Sequence, residues 1–147
     1  MTRLQSLLHD REGTTAIETA LILPALLAMS LGTFDVSRMV ARQNELQKAA
    51  NEAGDIVIAA NPDTQSKKDT LKSVIMTSSG LTTSKVTVSN IYRCGVTATF
   101  DTLVSACTGS YSTFVRVVLT DTYTPFWNKF GIGSSISYSV TRQVQVS

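Results

Sequence analysis

An uncharged run of sixteen residues, Thr19 to Phe34, stands near the start of this 147-residue chain, and a carboxylate, Glu18, comes directly before it. At 1.5 Å per residue the run makes about 24 Å of helix, short of the roughly 30 Å hydrocarbon core of a bilayer. Extending it back to Gly13 reaches about 33 Å and spans that core, but takes Glu18 inside. An ionised carboxylate in hydrocarbon is expensive and marks a functional position. The apolar helix and Glu18 therefore have to be explained together.

Composition narrows the function classes. The length allows one small module with an appended anchor, and a 43% hydrophobic fraction is that of a folded protein. The net charge of +2 is spread without a basic block, which argues against nucleic acid as a partner. The single histidine, His9, precedes the apolar run, so the body of the chain has no His-based triad or His-ligated zinc site, and no cofactor is expected. Two cysteines, Cys94 and Cys107, are too few for a Cys-only zinc site, and no metal is expected. Their spacing suits a loop-closing disulfide in an oxidising compartment and two buried thiols in the cytosol.

Three readings of the N-terminus compete. A secretory signal peptide would use Arg3 and Arg11 as its basic region, Ala20 to Ala28 as its apolar region, and cleavage after Ser30. Asp10, Glu12, Glu18 and Pro24 fit that poorly. A plain transmembrane anchor leaves Glu18 without a partner. Basic residues on both sides of the run, Arg3 and Arg11 before it and Arg38, Arg42 and Lys48 after it, leave its orientation open.

The third reading uses every odd feature. A short polar leader ending in Gly13, followed by Thr14-Thr15-Ala16-Ile17-Glu18 and an apolar helix interrupted by Pro24, resembles the cleavage region of type IV prepilins. The resemblance implies cutting between Gly13 and Thr14 by a prepilin peptidase. It also implies that Glu18 neutralises the new α-amino group of a neighbouring subunit, an ion pair suited to fixing register. The string "REGTTAIETALILPALLAMSLGTFDVSRMV", with Arg11, Gly13, Glu18, Ala20, Pro24 and the Phe34-Asp35 pair, is similar more narrowly to the TadE-like proteins, minor pilins of the Tad (Flp-type) tight-adherence pilus. Thr19 stands where the family commonly has an apolar residue, and Asp35 where it more usually has Glu.

Beyond the run, Val36, Met39, Val40, Leu46, Ala49, Ala50, Ala53, Ile56, Val57 and Ala60 recur at helical spacing, predicting one helix over 14–60 that stops at Asn61-Pro62. A second helix is expected from Thr64 to Thr77, with Leu71, Val74 and Ile75 inward, lysines solvated, and Gly80 as the stop. Four strands follow by composition: 85–93, 95–100, 112–124 and 135–146. On the last, Arg142 interrupts an apolar face, either pairing with a carboxylate such as Asp121 or lying at the sheet edge with its stem buried. Asp101 and Asp121 can be posed as paired carboxylates, but strand or turn placement explains both.

The expected fold is α+β and type IV pilin-like: a leader at 1–13, a transmembrane and assembly helix at 14–60, and a globular part at 61–147 with a small antiparallel sheet and one extra helix. The aromatic loop "TYTPFWNKFGIG" offers Phe126, Trp127 and Phe130 as a candidate interface, although such aromatics more often fold back to close a small core. The resemblance implies a non-enzymatic subunit in the bacterial inner membrane with its C-terminal part periplasmic, later at the cell surface. Its implied partners are the prepilin peptidase, other pilins, the assembly platform and membrane lipid. The alternatives are a secretion-system pseudopilin and a membrane-anchored or secreted binding module.

Overall fold

A computed structural model of the chain describes residues 11–96 and 99–146, with side chains from Thr15 onward. Of the expected leader, residues 1–10 lie outside the described residues.

Helix α1 runs without a break from Arg11 to Ala60, 50 residues, about 75 Å at helical rise. Pro24 lies inside it, where the missing N–H leaves the Ala20 carbonyl without its usual donor. Asn61 ends the helix: at φ 39° it takes the left-handed position, and its N–H closes on the Val57 carbonyl at 3.0 Å. Pro62 follows and is buried. Helix α2 spans Gln65–Ser79, with the Thr64 hydroxyl accepting from the Lys67 N–H and Gly80 at φ 66° closing the C-terminus. Leu71 and Ile75 face inward as expected, whereas Val74 is exposed, because it falls at the margin of their stripe.

The sheet has three antiparallel strands in the order β1 (Val86–Cys94), β2 (Tyr111–Tyr123), β3 (Ile136–Gln145). The register pairs Val86 with Leu119, Val88 with Val117, and Val115 with Val144. Alternation along the central strand puts Val115, Val117 and Leu119 on one face, all at 0% exposure. They pack against Leu46, Ala49, Ala50, Ala53 and Val57 of α1, with Leu71 and Ile75 closing the side. The short alanine side chains let the sheet approach the helix closely. Arg142 lies on edge strand β3 with its stem against Gly54, where an added Cβ would sit 3.2 Å from the Arg142 Cγ. Of its two expected placements, the structure takes the edge position.

The expected strand over 95–100 is not formed among its described residues: 95 and 96 make a turn, and 99 and 100 carry no strand. Gly95, at φ 56°, reverses the chain directly after β1, and the Cys94–Cys107 disulfide ties the reversed segment into a loop. Asp101 returns to pair with Tyr92 by two backbone hydrogen bonds of 2.8 Å. The loop carries Phe100 onto the outer sheet face, edge-on to Phe114 at 5.1 Å, beside buried Ile91. Replacing both cysteines by serine is expected to lower stability by about 3 kcal/mol, the loop-closure value for a bridge of this span. Thermal melts of detergent-solubilised protein with and without reductant check it.

Candidate functional site

From Thr15 to Phe34 every residue of the helix is exposed among the described residues, apart from half-buried Gly32. Leu21 is 75% exposed, Leu26 57% and Leu31 49%, so the apolar surface is turned outward all round. This segment is long and apolar enough to cross a membrane. Its hydroxyls are partly hidden within the helix itself: Thr19 donates to the Thr15 carbonyl at 2.7 Å and Thr33 to the Ser30 carbonyl at 2.9 Å. Such back-bonding satisfies a hydroxyl where water is absent. Glu18 is different. It is exposed on the same apolar surface, and no described side chain pairs with it. Any partner for it has to come from another molecule or from the segment before Thr15. Gly13 and Thr14 lie within the helical backbone of α1, so the expected cut falls in a helical stretch, five residues before Glu18.

Where the apolar segment ends, α1 begins to pack on the sheet, and the residues making the transition are polar. Asp35 is 3% exposed. One oxygen accepts from the Tyr123 hydroxyl at 2.8 Å and the other from the Phe126 N–H at 2.7 Å. The carboxylate thus clamps the end of β2 and the 3₁₀ turn Phe126–Phe130 onto the helix. Burial and the bond to Asp35 push the Tyr123 phenol above its ordinary pKa. Two turns further along α1, Arg42 donates its Nε to Asp121 at 2.6 Å, and Asp121 also accepts from the Lys85 Nζ. Burial alone would raise the Asp121 pKa, but the two cationic donors outweigh it and hold the carboxyl below its usual range.

These contacts revise the inward stripe of α1. Asp35, Met39, Arg42 and Leu46, at spacings of four, three and four, form the face turned to the domain, while Val36 and Val40 point away at 52% and 55% exposure. A search for apolar periodicity passes over Asp35 and Arg42 because they are charged. The available signal was their helical spacing from Leu46. The two aspartates posed as a carboxylate pair are far apart. Asp101 pairs beside Tyr92, opposite Thr113, which is eight positions along β2 from Asp121, or about 26 Å at strand rise.

The aromatic loop divides. Trp127 is half-buried and closes over Gly133, where φ 77° disfavours a side chain and an added Cβ would lie 3.2 Å from the indole Nε1. Pro125 is buried. Of the two readings left open for Phe126 and Phe130, closing the core or facing outward, the structure has the rings exposed at 43% and 69%, edge-to-face at 5.4 Å. The Asp35 clamp explains this, since it holds the backbone of the turn against the helix and leaves the two rings on the far side.

Residues 13–55, from Gly13 to Asp55 of α1, match the family model for TadE-like protein. The match ends before the sheet begins. No curated protein and no solved structure matches the chain.

Proposed function

We propose that this chain, whose residues 13–55 match the TadE-like family model, is a minor pilin of a Tad pilus system. In this reading it is inserted in the inner membrane as a prepilin, cut between Gly13 and Thr14 by a prepilin peptidase, and assembled through α1 into a Tad-type pilus for surface adherence. It acts as a building block and not as a catalyst, and its partners are other pilins and the inner-membrane assembly platform. The sheet and disulfide then lie in the periplasm, where an oxidised Cys94–Cys107 pair persists.

The observation that carries the reading is Glu18, set on an exposed apolar helix with no described partner. In an assembly, lateral packing of such helices buries both the apolar surface and the carboxylate. A neighbour's Thr14 α-amino group supplies the missing positive charge. Pro24, with the Ala20 carbonyl left unbonded, gives the packed helix a point of compliance.

N-terminal sequencing of the protein recovered from membranes of its native host tests the proposal. The expected start is Thr14, and Gly13→Leu should retain the leader completely. A start at Leu31 would remove Glu18 with the anchor and replace this reading with a secreted binding module.

A further inference from the structure

We propose that the turn Phe126–Phe130 and the following Ile132 form a second membrane contact, seated at the boundary between lipid headgroups and acyl chains beside the point where α1 leaves the bilayer. The inference rests on the reading of the lower half of α1 as a membrane span.

Position carries it first. The Phe126 N–H is bonded to Asp35, the residue immediately after the uncharged run that ends at Phe34. The clamp, 2.7 Å long, holds the start of the turn level with the end of that run. A helix from Gly13 to Phe34 spans about 33 Å, which puts Phe34 at the edge of a hydrocarbon core roughly 30 Å thick.

Composition carries it second. Phe126, Phe130 and Ile132 are exposed at 43%, 69% and 65%, an apolar cap that a solvated turn does not need. Basic groups lie over the aromatic rings: the Lys129 ammonium sits 5.6 Å from the Phe126 centroid and the Arg38 guanidinium 4.6 Å from that of Phe34. Rings turned toward acyl chains with cations at phosphate level match the order of groups across a membrane interface. Gly131 and Gly133, at φ 74° and 77°, turn the chain back so that the cap stays short. Seated this way, the turn restricts how far the globular part can tilt about the end of the span.

Trp127 is the only tryptophan of the chain and sits in the turn, so the full-length protein reports on itself. It is reconstituted into phosphatidylcholine–phosphatidylglycerol vesicles brominated either near the carbonyl end or near the middle of the acyl chains. The expected result is that shallow bromines quench Trp127 at least about twofold more strongly than deep ones, as an interfacial ring should behave. Phe130→Asp, at an exposed position, should lose most of that quenching without changing the melting temperature. A control with Trp127→Phe and Leu23→Trp places the reporter mid-span, where deep bromines should quench it. An unquenched Trp127 with a quenched Leu23→Trp reporter overturns the loop contact and leaves the span standing, as does full quenching in Phe130→Asp. A reporter at position 23 that deep bromines do not quench overturns the span and the contact that rests on it.

Discussion

Replacing Glu18 by alanine is expected to leave cutting after Gly13 intact and to abolish incorporation of the subunit into pili. A carboxylate in the membrane costs an isolated helix up to about 3 kcal/mol at mid-bilayer and less near the end, so its removal makes insertion no harder. Glu18 lies about 6 Å along the helix from Thr14, within the end region where a peptidase meets its substrate and a neighbouring subunit packs. In the packed state the account reverses. The neighbour's α-amino group, created by the cut, is left buried without a counter-charge, and breaking one side of a buried pair costs roughly 3–5 kcal/mol per contact. At a junction where this subunit packs, a loss of that size is enough to keep it out of the filament. Immunoblots for the trimmed band together with electron microscopy of surface filaments check both halves. Normal filaments built from Glu18→Ala subunits would remove the pairing role. Gly13→Leu should fail at assembly as well, for the complementary reason that no free α-amino group forms.

The second large effect belongs to Asp35. Substitution by alanine withdraws the acceptor from two donors at once, the Tyr123 hydroxyl and the Phe126 N–H. With hydrogen bonds to a carboxylate contributing roughly 1.5–3 kcal/mol each, the expected loss is about 4 kcal/mol. For a domain of this size that is a fall in melting temperature on the order of 10 °C. The loss should be local before it is global: hydrogen exchange at the Phe126 amide should speed up strongly, while amides of the central strand near Val117 hold until the fold opens. Asp35→Asn, which keeps one acceptor oxygen but places an N–H against a donor, should fall between. Unchanged protection at Phe126 in Asp35→Ala would show that the turn is held by packing alone. The clamp gives the polar residue after the apolar run a structural meaning: its short side chain reaches both donors.

Legibility in the sequence varied with the range of the interaction that set each feature. The apolar N-terminal helix, the stop at Asn61-Pro62, the start of α2 at Thr64 and its end at Gly80 were readable because each is set by local signals, by hydropathy, by proline or by a cap. Three of the four expected strands formed within a residue or two of their predicted ends. The fourth did not form among its described residues, where Gly95 turns the chain and the bridge to Cys107 closes a loop. Whether Phe126 and Phe130 close the core or face outward was left open by the sequence, because the bond that seats the turn joins its backbone to a side chain 91 residues earlier.

By itself, then, the sequence determined that this chain carries a long apolar helix with one ill-placed carboxylate and ends in a small α+β module, since periodicity and local breakers act over a few residues. Only the tertiary structure decided which charges of α1 face inward. Asp35 and Arg42 look like solvent-facing residues until Tyr123, Phe126 and Asp121 are brought to them from the far end of the chain. Burial of a charge is decided by its partners, and partners so distant in sequence leave no periodic trace.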